Sequence, residues 1–148
     1  MAMFLVLFRS LKIAFVAILP SMLASGSVLG LMGWLSIPLD VMTITIAAIC
    51  IGIGVDHSIH YIHRFRSEIK RQASARIAIE KSHASTGKAI YYTSVIIVVG
   101  FSILGLSNFI PTIYFGVFTA FAMLVSLIAN LTLLPLLLLG INSGKIKT

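Results

Sequence analysis

Charge is what this sequence lacks. Only 10% of its 148 residues are Asp, Glu, Lys or Arg, while 59% are hydrophobic. Soluble domains run near 25% charged and about 45–50% apolar, so a water-soluble single domain is excluded by composition. Disorder is excluded with it, because disordered chains are poor in apolar residues and rich in charge. The mean hydropathy of +1.08 points the same way. Acid is scarcer still: there are four Asp and Glu residues, so the position of each carries information. Cysteine occurs once, at Cys50, which leaves no intrachain disulfide framework. The net charge of +7 would suggest nucleic acid as the partner of a soluble protein. In a chain this apolar no nucleic acid is expected, and the cations instead report which side of a bilayer they occupy.

A helix crosses the hydrocarbon with about 20 mostly apolar residues. Residues 13–35 are that long and uncharged, with Pro20 expected to kink them. Residues 41–63 form a second span, interrupted by Asp56 and three histidines. Residues 89–144 contain no Asp, Glu, Lys, Arg or His and are too long for one crossing. Asn108 and Pro111 punctuate that stretch as a turn, dividing it into spans 89–107 and 112–141, with Pro135 expected to kink or end the latter. Residues 1–8 are apolar but too short to cross, and read as the tail of a longer helix. They do not read as a secretory signal, because Arg9 and Lys12 follow the apolar run instead of preceding it. The expected fold is an all-α integral membrane domain over residues 1–148, with four transmembrane helices and a truncated N-terminal helix.

If the four helices cross alternately, all eleven Lys and Arg residues fall on one side. The connectors around residues 33–40 and 108–112 have none. The positive-inside rule assigns the basic side to the cytoplasm, which puts both termini there and the protein in the plasma (inner) membrane. Trp34 and Tyr114 lie near the opposite ends, as interfacial aromatics do. The connector 64–88 is the one strongly polar stretch. Ile69, Ala73, Ile77 and Ala78 are spaced for a short amphipathic helix at the inner surface. A solvated basic loop accounts for the same composition.

Asp56 is the most informative residue. A carboxylate costs a few kcal/mol to insert into a span, so it faces a bundle interior or a water path and acts there. Shelter among helices favours its protonated form, which suits it to take up and release a proton. Gly52 and Gly54, just before it, permit close helix contact. His60 follows Asp56 by four residues and His63 by seven, so the three share a helix face while His57 points elsewhere. Histidine titrates near neutrality, and Asp56 with His60 reads as a proton relay toward the cytoplasm. His63, beside Arg64, fits an interfacial polar role. A metal site is not expected. The chain has four histidines and no HExxH motif, too few ligands to complete a coordination shell, and no cofactor or enzymatic chemistry follows from it.

On the third span Thr93 and Ser94 are placed to hydrogen-bond Asp56 across a helix interface, although such hydroxyls as often satisfy backbone carbonyls. Asn130 reads as interhelical glue. Gly26, Gly30 and Gly33 are spaced for close packing.

The string Gly52-Ile-Gly-Val-Asp56-His-Ser-Ile-His60-Tyr-Ile-His-Arg64-Phe-Arg-Ser-Glu68 resembles the fourth or tenth transmembrane helix of the resistance–nodulation–division (RND) superfamily. It is most similar to the branch of MMPL-type lipid transporters and hydrophobe exporters. Gly87-Lys-Ala-Ile-Tyr-Tyr-Thr93-Ser94, Gly100-Phe101-Ser102 and Leu106 to Pro111 resemble the following helix. Phe115-Gly116 and Asn130 to Pro135 resemble the last helix of a repeat. The resemblance implies part of one of two membrane repeats, each with a large extracytoplasmic domain, in a proton-driven exporter of lipids or other hydrophobic molecules. It implies Asp56 as the proton carrier, with Thr93 or Ser94 as nearby polar partners. The implied partners are membrane lipid, protons, a hydrophobic substrate, and the remaining half of the transporter or a second copy.

The departures are specific. His57 stands where an aromatic residue is usual, no second acid neighbours Asp56, and no lysine lies within a span. The first helix, the extracytoplasmic domain and the other repeat are missing, so the chain reads as a C-terminal fragment, incomplete on its own. A non-transporting lipid-binding module, like the sterol-sensing domains that share this helical architecture, or a nonfunctional gene fragment, are the rival expectations.

Overall fold

The computed structural model describes residues 11–38, 40–71 and 74–143. Among them there are helices and turns but no strands. Four helical stretches are long and apolar enough to cross a membrane: Ile13–Trp34, Val41–Arg71, Ala75–Leu106 and Ile110–Gly140. The apolar tail over residues 1–8 lies outside the described residues.

Helix α1 spans Leu11–Trp34, and Pro20 sits inside it without ending it. It stops at a Schellman motif. The Ser36 amide donates to the Gly33 carbonyl (3.2 Å) and the Ile37 amide to the Met32 carbonyl (3.0 Å). Ser36 itself takes the left-handed φ of 55° that glycine usually supplies at this position. Pro38 then prevents the helix from resuming.

Helix α2 spans Val41–Arg71. Asp40 caps it. The Thr43 amide donates to Asp40 Oδ1 at 3.0 Å, and the Asp40 amide donates back to Thr43 Oγ1 at 3.2 Å. Two orphan donors of the first turn are thus satisfied reciprocally. Those bonds, the Thr43 amide first and its hydroxyl next, hold the Asp40 carboxyl below its usual pKa.

The connector contains a short helix, as one of the two sequence expectations had it, but joined to the spans on either side. Helix α2 runs without a break to Arg71, eight residues past the expected end. Helix α3, Ala75–Ser82, follows at once and continues through a π-helical turn, His83–Gly87, into α4, Lys88–Ile103. The basic segment is therefore the tip of a helical hairpin, neither a loop nor a helix standing apart. Two features explain it. Ala78 and Ser82, four residues apart on one face of α3, are fully buried, which lets α3 pack closely on α2. Glu68, almost fully buried, takes an ion pair from Arg64 one turn earlier (2.9 Å), supporting the extra turns of α2. Of the expected amphipathic stripe, Ala78 is buried and Ile77 exposed, while Ala73 lies outside the described residues.

A 3₁₀ turn, Leu104–Leu106, closes α4, and α5 spans Ile110–Ser143. Pro111 sits in its first turn, where its missing N–H costs nothing. Pro135 lies within α5 and does not end it. Helix α5 is the centre of the bundle: α1, α2 and α4 all pack on it. Helix α4 is the edge, with Tyr92, Ile96, Val99 and Ile103 exposed.

Two apolar clusters fill the interior. One, toward the basic end, joins Ala14 and Ala17 of α1, Tyr61, Ile62 and Phe65 of α2, and Leu127, Leu134 and Leu138 of α5. The other joins Ala24, Val28 and Met32 of α1, Ile46 and Cys50 of α2, and Phe118, Ala122 and Met123 of α5.

The cap yields a pH-dependent expectation. Because the folded-state pKa of Asp40 is lowered, its contribution is present above the unfolded value and disappears as pH falls through the folded one. Asp40→Ala lowers the melting temperature at neutral pH, and the gap from wild type closes below about pH 4. Thermal melts across that range, followed by circular dichroism in detergent, check it; a gap that stays constant contradicts the capping role.

Candidate functional site

The inner and outer faces of α2 do different work. The inner face holds a polar layer between the two apolar clusters. A Cβ placed on Gly54 would stand 2.6 Å from Ser21 Oγ of α1 and 3.0 Å from Ser126 Oγ of α5. Only glycine lets the three helices meet this closely. One turn on, the single Ser58 hydroxyl hydrogen is shared between Asn130 Oδ1 (2.8 Å) and the Gly54 carbonyl (3.0 Å). Asn130 Nδ2 donates to the Ser126 carbonyl (2.9 Å) and reaches Ser126 Oγ (3.3 Å). Asn130 thus binds α5 to α2, as interhelical amides do within membranes.

The outer face carries the titratable groups. Asp56 Oδ1 and His60 Nε2 lie 3.4 Å apart, one turn from each other, and their side chains are 64% and 67% exposed. They border an open groove of about 540 Å³ between α2 and the π turn with α4. His57, His63 and Arg64 border it from α2, Ser85 and Thr86 from the π turn, and Ala89, Ile90 and Thr93 from α4. The groove therefore reaches from the level of the polar layer toward the basic hairpin.

The π turn shapes the far wall. A π turn inserts one extra residue per helical turn, and such turns recur at functional sites. This one is pinned from behind. Tyr61, fully buried, shares a hydrogen bond with His83 Nδ1 (3.0 Å), and the two rings meet edge-on with centroids 5.9 Å apart. Gly87, buried, lies against the His83 ring and Leu131. Nothing in the apolar periodicity marks Tyr61 and His83 as partners, because they are 22 residues apart on different helices.

Several expectations change. Asp56 is not sheltered by the described helices; it faces outward on the side of Gly52, where an added Cβ would meet nothing within 4 Å. Thr93 stands across the groove from Asp56 and is exposed, and neither Thr93 nor Ser94 hydrogen-bonds it. Ser94 is buried away from the groove, its hydroxyl without a partner. The reason is rotational: Thr93 and Ser94 are about 100° apart on α4, so only one can face α2. His57, expected to point elsewhere, borders the groove and is buried, 5% exposed, with Nδ1 unpartnered. Gly54 makes the close helix contact expected of it, whereas a Cβ added at Gly26, Gly30, Gly33 or Gly52 would meet nothing within 4 Å. Among the described residues no three His, Cys, Asp or Glu side chains come together as metal ligands.

Comparison with known proteins gives a consistent identification. The model of the MMPL family matches residues 1–144. An inferred membrane protein of Methanocaldococcus jannaschii, MJ1562, is 33% identical over 134 residues, covering 90% of this chain and 34% of its own. An inferred membrane protein of Bacillus subtilis, YdgH, is 30% identical over 143 residues, covering 93% of this chain and 16% of its own. The chain thus spans about a third of one relative and about a sixth of the other. No solved structure matches it.

The two glycines make a paired test. Gly54→Ala forces a methyl against Ser21 and Ser126 and costs about 1–3 kcal/mol of stability. Gly52→Ala meets no atom and is neutral or stabilising by up to about 1 kcal/mol. Unfolding of both variants in detergent measures the difference; equal behaviour refutes the tight approach at Gly54.

Proposed function

This chain is a multi-pass membrane protein of the MMPL family, and on that premise we propose that it forms the membrane portion of a proton-coupled exporter of lipids or other hydrophobic molecules. The observation that carries the reading is the Asp56–His60 pair on the outer face of α2, at the head of a groove. An acid within a span is stable only when protein or water, not lipid, surrounds it. Here the groove supplies the water. Protons enter from the basic side, which the positive-inside rule makes the cytoplasm, with both termini on that side. His60 passes a proton to Asp56, and the hydroxyls of Ser85, Thr86 and Thr93 hold the intervening water. Thr93 takes the polar-partner role by lining this path, and Ser94 does not border it.

The outer face also needs a cover. Ala48, Gly52, Asp56 and His60 follow one another at helical spacing and are all exposed. In the working assembly this stripe faces protein, supplied by the rest of the transporter as a second membrane repeat or a second copy. Neutralising Asp56 changes the charge that the cover meets, so protonated and deprotonated states favour different helix packings. That switch drives the extracytoplasmic domains that select the hydrophobic substrate. No cofactor or covalent step takes part.

Two outcomes check this. Asp56→Asn in the assembled transporter abolishes proton-driven export, and Asp56→Glu retains part of it; unchanged export by the Asn variant rejects the mechanism and leaves a lipid-binding module. Gly52→Leu leaves the chain's own melting temperature intact but weakens its association with the covering partner, read by cross-linking in membranes. Association indifferent to Gly52→Leu places the cover elsewhere.

A further inference from the structure

Of the three histidines that follow the acid, the relay uses His60 and leaves His57 and His63 aside, and of those two only His57 is buried. Its imidazole is 5% exposed, whereas His60 is open to the groove. Nδ1 of His57 has no hydrogen-bond partner and essentially no accessible surface. This chain's own atoms seal it, so neither water nor a covering partner reaches it unless those atoms move. A neutral imidazole tolerates the seal by leaving Nδ1 as the bare nitrogen and keeping its hydrogen on Nε2. An imidazolium carries N–H on both nitrogens, and its Nδ1–H would be a buried charged donor with nothing to accept it, a costly arrangement.

We propose that His57 is a positioning residue that converts proton uptake in the groove into movement of α2: the packing seen here accepts only neutral His57, and the protonated form requires α2 to shift against its neighbours. This rests on the reading of the groove as a proton path. The groups that bear on His57 are few. On α2 they are Asp56 and His60, whose charges act on it directly, then Tyr61, His63 and Arg64. Between residues 13 and 34 α1 has no ionisable side chain. From residue 110 to 140 α5 has only Tyr114, at its far end. The π turn brings His83, already bonded to Tyr61. Helix α3 brings Arg76, Glu80 and Lys81, and α4 brings Lys88, Tyr91 and Tyr92, all exposed. No residue on that roll can accept a hydrogen bond from the sealed Nδ1 as packed.

The chain contains its own reporter. Cys50, its only cysteine, is fully buried on the same face of α2, two turns before His57. Any shift of α2 disturbs its contacts with α1 and α5.

The experiment follows labelling of Cys50 by a membrane-permeant pyridyl disulfide in vesicles carrying the full chain. Rates are normalised to the unfolded protein at each pH, which removes thiol ionisation from the comparison. Between about pH 8 and about pH 5 the normalised rate rises about tenfold or more in wild type. His57→Phe and His57→Gln keep Cys50 closed throughout. Asp56→Asn keeps the rise, because the sealed group is His57 and not Asp56. A flat wild-type profile, a rise that survives both His57 variants, or a rise abolished by Asp56→Asn overturns the inference. Circular dichroism identifies a variant that fails to fold; the wild-type and Asp56→Asn profiles decide the matter without it. Export is not measured, so a flat profile with Asp56-dependent export sinks this inference alone, and the expected profile with Asp56-independent export sinks the transport reading alone.

Discussion

Everything in this bundle depends on how closely three helices approach at Gly54. Lipid offers no hydrophobic drive for helices to associate, so packing and interhelical hydrogen bonds must hold them. At Gly54 the absent Cβ leaves room for Ser21 and Ser126. That approach brings Ser58 within 2.8 Å of Asn130, closing a polar layer between two apolar clusters. Each such bond is worth only about 0.6–2 kcal/mol within a membrane. Their greater effect is on register: a one-turn slip of α2 along α5 would break the Ser58–Asn130 bond and leave Asn130 Oδ1 without its interhelical donor.

The register of the inner face dictates what the outer face presents. Gly54 and Ser58 point inward, so Gly52, Asp56 and His60, displaced by about half a turn, point outward. The chain cannot both close its polar layer and bury its acid. Asp56 is exposed because the packing that closes the polar layer turns it outward. His57 sits between the two sets. It touches the groove and is sealed by the bundle, which is the placement needed to feel a proton on one side and a packing constraint on the other.

The spans and the acid were legible in the sequence because both depend on a single strong quantity, the cost of placing charge in hydrocarbon. Hydropathy located four crossings, and one acid amid apolar residues marked the site. Other features were not legible, for reasons that can be named. The connector 64–88 read as loop or surface helix because its charges dominate the composition. Its structure is instead set by two small residues, Ala78 and Ser82, and by the Arg64–Glu68 pair, which weigh little in any hydropathy sum. Face assignments by periodicity placed Asp56, His60 and His63 together but could not say which neighbour, if any, covers them. His57 was dismissed because it lies about 100° around the helix from Asp56. A groove between two helices is wide enough to be bordered by both. The Tyr61–His83 bond depends on a π turn, an irregularity that a regular periodicity cannot express.

The two ends of the groove are held to different standards of rigidity. Its α2 wall is tied to α5 by the polar layer, while its other wall belongs to α4, the least buried helix, anchored near the groove by the Tyr61–His83 contact and the Gly87 approach. A change in α2 therefore reaches α4 through the π turn, which packs on both. The carboxylate, the sealed imidazole and the irregular turn lie in series, from the open groove to the helix at the edge of the bundle. On the proposed reading, a cover on the outer face would meet any displacement along that series, and an acid displayed at the edge of this chain is placed where such a cover would sit.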